Sequence, residues 1–236
     1  MRSDDPCRYE SGLHQQPDGF TSTLRSYRNK FYKDYGELVL CYDSKHYWRR
    51  KEFPHYKGTR KKDREKSNFD WHEIFEVLNK IRDEIREHLP YKVVEVDGAE
   101  ADDIIATLVK DQGLANIRLQ NNMQPPRKVL ILSGDKDFQQ LQKYKFVDQY
   151  NPIQKKFVQC EDPKQYIAEH ILKGDDITFK NYERNQKLID FEFIPKEVND
   201  NIINTFENTE TPARGKMYPY FMRHALNEML DHITEF

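Results

Sequence analysis

The chain has 236 residues, enough for one substantial α/β domain with a small appendage. Its 38 basic and 40 acidic side chains give a net charge of -2, so the overall charge does not indicate a nucleic-acid partner. An aromatic content of 13% argues against disorder, and the three cysteines lack the spacing of a zinc site. No stretch approaches the roughly 20 apolar residues of a membrane span, so we expect a cytoplasmic protein without membrane contact.

The first part of the chain is predicted to contain one helix and one strand. Residues 1–20 are polar and rich in turn formers, so we expect them to be irregular. The next segment, residues 21–35, has the composition of a helix. The short apolar run of residues 37–42 favours a buried strand that ends at Asp43.

A strongly basic segment follows over residues 45–66. It contains ten Lys or Arg against three Asp or Glu, and tyrosine, tryptophan and phenylalanine are interleaved with them. Such a mixture is typical of a surface that holds phosphates and stacks on bases. The alternative is a solvated basic face whose apolar stems cover the protein surface.

Strands and helices alternate through the rest of the chain. Further strands are predicted over residues 91–96, 128–132, 146–150 and 157–160. Helices are predicted over residues 71–89, 100–111, 163–173, 196–207 and 220–233. The alternation favours an α/β fold with a mainly parallel central sheet flanked by helices, followed by a helical C-terminal part.

Acidic side chains follow three successive predicted strands. Asp43 ends the first strand, Glu100 and Asp102 open the helix after the second, and Asp135 and Asp137 follow the third. In a parallel sheet these positions meet at one edge, where the carboxylates repel one another unless cations neutralise them. Their oxygens suit Mg²⁺ or Mn²⁺, and a pair of such ions supports phosphodiester hydrolysis. For each position taken alone, helix capping or turn chemistry is the competing explanation.

Several segments match motifs that occur together in one nuclease family. They are EADDIIATL at residues 100–108, SGDKDFQQL at 133–141, YKGTR at 56–60, LCYD at 40–43, YWRR at 47–50, IDFEFIP at 189–195 and PARGK at 212–216. On these residues the chain resembles the 5′-nuclease family of flap endonucleases and replication ribonucleases H, most closely its phage ribonucleases H. The resemblance covers about residues 21–175 and 187–236 and implies a PIN-like fold with a basic arch.

The resemblance also implies which residues carry the chemistry. The implied metal ligands, for two Mg²⁺ sites in which Mn²⁺ can substitute, are Asp43, Glu100, Asp102, Asp135, Asp137 and Asp175. The first five and the phosphate contacts Lys57 and Arg60 would form the catalytic set, whereas Asp103 is expected to be a supporting or capping group. The implied nucleic-acid contacts of the basic segment, which corresponds to the family's arch, are Arg49, Arg50, Tyr56, Lys57, Arg60, Lys61 and Lys62.

The function implied is removal of RNA or DNA 5′ ends during phage DNA replication, by a 5′→3′ exonuclease or flap endonuclease. Implied substrates are 5′ flaps, nicked duplexes and RNA–DNA hybrids. A phage single-stranded-DNA-binding protein is the implied partner, and the cytoplasm of an infected bacterial host is the implied location. Two rival functions are an inactive nucleic-acid-binding remnant of the family and a PIN-type single-strand ribonuclease.

Two family features are missing from the sequence. No apolar strand ending in Asp precedes residue 37, and Thr178 stands where the family has a further acid before a duplex-gripping helix–turn–helix. We therefore expect slow, Mn²⁺-dependent cleavage or none. The predicted division is an irregular segment at 1–20, the nuclease domain at 21–175, and a linker with helical region at 176–236.

Overall fold

The computed structural model describes residues 16–58, 60, 64–173 and 179–236. The helices, numbered in chain order, are α1 (Gln16–Tyr35), α2 (Trp48–Glu52), α3 (Trp71–His88), α4 (Ala101–Asn121), α5 (Pro163–Lys173), α6 (Phe179–Ile189), α7 (Lys196–Asn208), α8 (Met217–Arg223) and α9 (Asn227–Leu230). The strands are β1 (Val39–Tyr42), β2 (Lys92–Glu95), β3 (Val129–Leu132), β4 (Val147–Asn151) and β5 (Lys156–Val158). None of these described helices combines the length and apolar character needed to cross a membrane.

All five predicted strands are confirmed, and the protein has the expected α/β architecture with small parallel sheets flanked by helices. The strands are nevertheless grouped differently from the single central sheet that we predicted. In the described part of the chain β1 pairs with β2, while β3, β4 and β5 form a second sheet. In that second sheet β3 runs parallel to β4 and β4 runs antiparallel to β5. Pairing between strands is a non-local choice, which the pattern within a single strand does not specify.

The predicted helices differ from the observed ones mainly at their ends, and two observed helices, α2 and α6, were not predicted. Residues 16–20 belong to α1, so the predicted irregular segment is too long, and residues 1–15 lie outside the described residues. The predicted helix at 100–111 continues to Asn121 as α4. The predicted helix at 220–233 is divided into α8 and α9, because Ala225 adopts a positive φ of 56° between them.

The chain packs as two compact units built from discontinuous stretches. One unit combines the described parts of residues 1–38 with residues 72–92 and 211–236, and the other comprises 39–71 and 93–210. The boundaries of these two packing units differ from those of the predicted domains at 1–20, 21–175 and 176–236. The division into those three domains stays a prediction.

The first unit is held together by aromatic side chains and ion pairs. The ring of Phe236 lies 6.4 Å from that of Tyr91 and 5.4 Å from that of Phe221. The guanidinium of Arg25 in α1 binds Glu235 at 2.7 Å, close to the C-terminal end of the chain. The first helix and the last residues therefore stabilise the same unit.

The second unit is organised around α4, which contributes to two apolar clusters. One cluster combines Ala106 and Val109 of α4 with Ile131, Phe138, Leu141, Val147, Phe191 and Ile194. The other combines Ile104 of α4 with Val94, Val96, Ala99 and Ile202. Burial of two sides of α4 fixes the position of its N-cap residue Glu100 and of its first turn, which carries Asp102 and Asp103.

Candidate metal centre and nucleic-acid interface

The first turn of α4 brings the first two acidic strand ends together. Asp43, just after β1, accepts a hydrogen bond of 2.7 Å from the backbone N–H of Ala101. A carboxylate is favourable there because the helix N-terminus carries unsatisfied N–H groups and a positive dipole end. The turn between β2 and α4 depends on Gly98, whose φ of +87° is strained for any other residue.

Glu100 and Asp103 form a buried capping box that is neutralised by Arg49. The Asp103 carboxylate accepts from the backbone N–H of Glu100, which confirms the predicted supporting role of Asp103. The Nη1 atom of Arg49 lies 2.9 Å from Glu100 and 2.8 Å from Asp103. The indole N–H of Trp48 donates to Asp103 at 3.1 Å. Lys57 completes the group, with its Nζ atom 2.6 Å from Glu100 Oε1.

Asp102 is influenced both by the remaining acids and by Lys57. Burial, together with the charge of Asp135 and smaller contributions from Asp43 and Glu100, raises the pKa of Asp102 to about 7, although Lys57 opposes the shift. The three acidic strand ends are therefore close enough to repel one another. A cation bound among them would relieve this repulsion.

The loop after β3 is shaped by its own carboxylates and by a buried glutamine. Asp135 Oδ1 accepts from the backbone N–H of Asp137 at 2.9 Å. The amide of Gln149 in β4 donates to the carbonyls of Ser133 and Asp135, at 3.0 and 2.7 Å. A β-carbon on Gly134 would lie 3.0 Å from the side chain of Asn151, so the loop is closely packed against β4. The sequence analysis missed Gln149, because the predicted strand that contains it also contains Asp148 and so gave no signal for one polar residue.

His170 of α5 is a second residue that the sequence analysis missed. Its Nε2 atom lies 3.2 Å from Asp137 Oδ1, and its ring stacks on that of Tyr166 at 5.7 Å. Burial and the charge of Asp135 raise the pKa of Asp137, and His170 opposes that rise. The contact joins residues 33 positions apart, so no local motif marked it.

The basic segment is arranged partly against expectation. Arg49, predicted to reach phosphates, is only 2% exposed and binds Glu100 and Asp103 instead, because two buried carboxylates require a buried cation. Trp48 is also buried, so its face is not available to stack on a base. Arg50 and Arg60 are exposed as expected, and the Arg50 guanidinium lies over the Tyr47 ring.

Tyr56 and Lys57, which lie between these two arginines, are intermediate in exposure. The Tyr56 hydroxyl donates to Glu100 at 3.3 Å, and Lys57 holds the same carboxylate from a left-handed backbone conformation with φ of 54°. Both side chains thus link the basic segment to the acidic cluster. Lys61, Lys62 and Asp175 lie outside the described residues.

The donor set fits a hard divalent cation. It consists of carboxylate oxygens, the ligands preferred by Mg²⁺ and Mn²⁺. As placed, no three acidic, histidine or cysteine side chains of the described ranges are grouped tightly enough to hold one ion. Glu100 is engaged by Arg49 and Lys57, so it would have to exchange a cationic side chain for a metal ion to act as a ligand.

Comparison with known proteins places this geometry in a family context. A family model described as "5'-3' exonuclease, N-terminal resolvase-like domain" matches residues 6–170, and one described as "T4 RNase H, C terminal" matches residues 149–236. Ribonuclease H of Enterobacteria phage T4 is 32% identical over 253 residues, covering 86% of this chain and 80% of that protein.

Two solved structures share the fold. A crystal structure of the T5 D15 protein co-crystallised with metal ions has a TM-score of 0.59 at 17% identity, covering 80% of this chain and 92% of that one. A T5 5′-exonuclease with bound divalent zinc also has a TM-score of 0.59, at 16% identity over 84% of this chain and 93% of that one. Structures with this fold have therefore been crystallised with divalent metal ions.

Proposed function

The chain belongs to the 5′–3′ exonuclease family, and from this premise we propose that it hydrolyses phosphodiester bonds at the 5′ ends of nucleic acid with bound Mg²⁺. Nucleic acid as the substrate class follows from the family. The observation that carries the proposal for this chain is the placement of Asp43 at the first turn of α4, where it accepts from the backbone N–H of Ala101 beside Glu100 and Asp102. The raised pKa of Asp102, to which Asp135 and Asp43 contribute, supports it. Bringing acids from three strand ends together costs free energy, which a bound divalent cation would offset.

The proposed metal ligands are the carboxylates at the strand ends. They are Asp43, Glu100, Asp102, Asp135 and Asp137, with Asp175 as a further ligand in a part of the chain outside the described residues. Divalent ions bound there supply activation of water and neutralisation of the negative charge that develops on the phosphate. Gln149 and His170 act as positioning residues, because one holds the backbone of the Asp135 loop and the other holds the Asp137 carboxylate.

Lys57 links the substrate to this centre. Its ammonium is bound to Glu100, so an incoming phosphate would compete with that carboxylate for the same cation. If the phosphate replaced Glu100 as the partner of the Lys57 ammonium, the phosphate would lie next to the acids. The Glu100 carboxylate would then be released from Lys57 and could bind a metal ion. Arg60 and Arg50, exposed in the same basic segment, hold the neighbouring phosphates without reading the base sequence.

We further propose that single-stranded 5′ ends bind better than duplexes. The alignment with the T4 enzyme is 253 positions long, but it uses only 86% of the 236 residues of this chain. The remaining aligned positions are gaps in this chain, so this chain lacks some segments of its relative. Loss of the duplex-gripping helix–turn–helix would leave the contacts of the basic segment intact. The proposed substrates are 5′ flaps, nicked duplexes and RNA–DNA hybrids, with a phage single-stranded-DNA-binding protein as partner in the cytoplasm of an infected bacterium.

An inactive binding protein is the second candidate, and one observation favours it. Glu100 is neutralised by both Arg49 and Lys57, as an acid would be that no longer binds metal. A nuclease assay distinguishes the active enzyme from the inactive binding protein. The assay follows 5′-labelled flap, nicked-duplex and hybrid substrates with Mg²⁺, Mn²⁺ or a chelator, and Asp135→Asn is the inactive control.

The enzyme should release short labelled products only with a divalent ion, more slowly with Mg²⁺ than with Mn²⁺, and Asp135→Asn should release none. Binding without cleavage under all conditions would establish the inactive remnant instead. Equal cleavage by wild type and Asp135→Asn would place the catalytic centre elsewhere.

A further inference from the structure

A groove in the second unit lies at the end of the sheet away from the acidic residues. It encloses about 580 Å³ and is bordered by the outer face of α4 and by the residues that precede β3 and β4. Lys128 immediately precedes β3, and Phe146 immediately precedes β4. The acids follow the other end of β3, and a strand of this length spans about 13 Å. Since β3 and β4 are parallel, the groove lies at the amino-terminal ends of these strands and the acids lie at the carboxyl-terminal end of β3.

The floor of the groove is apolar and exposed. Leu114 and Ile117 of α4 are 58% and 56% exposed, whereas Ile104 and Val109 of the same helix are buried. They face the same cavity as the aromatic rings of Tyr144 and Phe146, which lie 5.6 Å apart. Adjacent exposed apolar side chains of this kind mark binding surfaces more often than isolated ones do.

The rim of the groove is positively charged. Three lysines and no acidic side chain line the cavity. Lys110 is already bound to Glu192 at 3.1 Å, but within the described residues Lys128 and Lys145 have no ion-pair partner. An apolar floor with two available ammonium groups suits a ligand that combines apolar side chains with carboxylates.

The groove is also preorganised. The side chain of Asn116 donates to the carbonyl of Arg127 at 2.9 Å and accepts from its backbone N–H at 2.8 Å. This pair of hydrogen bonds fixes the segment that leads into Lys128 against α4. A fixed groove loses little conformational entropy when it is occupied, which favours affinity.

We propose that this groove is the docking site for an acidic, apolar peptide segment of a partner protein. Two apolar side chains would occupy the floor between α4 and Phe146, and carboxylates of the same segment would pair with Lys128 and Lys145. A nucleic-acid strand is disfavoured, because its phosphates would lie against the apolar floor with only two available cations. Because the groove is remote from the acids, the partner and the nucleic-acid substrate bind at the same time.

The test uses fluorescence anisotropy with a labelled octapeptide that alternates leucine and phenylalanine with aspartate. Two counterparts serve as probes of the chemistry, one with lysine for aspartate and one with serine for the apolar residues. The protein variants are Leu114→Ser with Ile117→Ser, and Lys128→Glu with Lys145→Glu. Matched controls are Ile153→Ser and Lys164→Glu, which change exposed residues outside the groove.

Saturable binding of the acidic peptide is expected, about tenfold weaker in each double variant and unchanged in the controls. The two counterpart peptides should bind at least about tenfold more weakly than the acidic one. Melting curves of the variants should match that of the wild type, because the substituted side chains are exposed.

Three results would overturn the proposal. They are no saturable binding at millimolar peptide, equal binding of the basic counterpart, or binding that survives both double variants. Binding of a single-stranded oligonucleotide that requires Lys128 and Lys145 would identify the groove as part of the nucleic-acid surface instead. Concentration-dependent dimerisation that is lost in the Leu114→Ser, Ile117→Ser protein would identify a second copy as the occupant. The oligonucleotide result and the dimerisation result would each also reject the assignment of the groove to a peptide.

Discussion

Replacement of Arg49 by methionine should destabilise the second unit strongly. The guanidinium binds Glu100, Asp103 and the carbonyl of Leu188, at 2.9, 2.8 and 2.8 Å. Both acids are nearly inaccessible to water, and methionine keeps the apolar stem while removing the charge. Breaking a buried ion pair in this way costs about 3–5 kcal/mol. We expect a value near the lower limit, because Glu100 keeps Lys57 and Asp103 keeps the Trp48 N–H.

The loss should depend on pH in a defined direction. Burial already raises the pKa of Asp103, and Arg49 is the main group that opposes this rise. Without Arg49 the folded-state pKa of Asp103 lies further above its unfolded value, so the folded variant binds more protons between those two values. The stability of the variant should therefore increase as the pH falls toward 5, and the difference from wild type should shrink.

Urea denaturation followed by tryptophan fluorescence measures this effect, since Trp48 and Trp71 both belong to the second unit. Arg50→Met, at the exposed neighbouring position, is the matched control and should change the free energy of unfolding by less than about 0.5 kcal/mol. A loss below about 1 kcal/mol for Arg49→Met, or a loss independent of pH, would refute the assigned role of this arginine.

Three further predictions concern the acidic residues at the strand ends, the lysine that contacts them and the glycine in the loop after β3. With a chelator present, Asp102→Asn should raise the melting temperature at pH 8 but not at pH 5. The pKa of Asp102 is about 7 in the folded protein and near 4 in the unfolded chain, so ionised Asp102 destabilises the folded protein at pH 8. Lys57→Ala should weaken binding of a labelled 5′ single strand and reduce the slope of log affinity against log salt by about 0.7, measured by anisotropy; an unchanged slope would exclude a phosphate contact. Gly134→Ala should reduce stabilisation by Mn²⁺ in thermal melts, because its β-carbon meets Asn151, whereas Gly215→Ala has open space and should not; equal effects would count against the loop argument.

The strands and the acidic strand ends were predictable from the sequence. An apolar run of a few residues followed by a turn-forming residue identifies a buried strand and its carboxyl end, as at Asp43 and at Ser133. The family resemblance also implied that Asp103 is a supporting or capping group, and Asp103 forms a capping box with Glu100. These features depend on neighbours in the sequence, so local rules were sufficient.

The contacts that complete the site were not predictable, because they join distant positions. A basic run resembles a solvated or phosphate-binding surface, but Arg49 is drawn inward by two acids more than 50 residues away. Gln149 and His170 likewise act on the Asp135 loop from other elements. The grouping of strands into two sheets has the same origin, since it depends on which strand edges meet.

Calorimetric titration of Mn²⁺ tests most directly whether the strand-end carboxylates form the metal centre. The proteins to compare are the wild type, Asp135→Asn, and Asp200→Asn as a control at an exposed acid of α7. The account predicts saturable binding by the wild type and by Asp200→Asn, weakened about tenfold or more in Asp135→Asn. Equal Mn²⁺ affinity in all three proteins would contradict it.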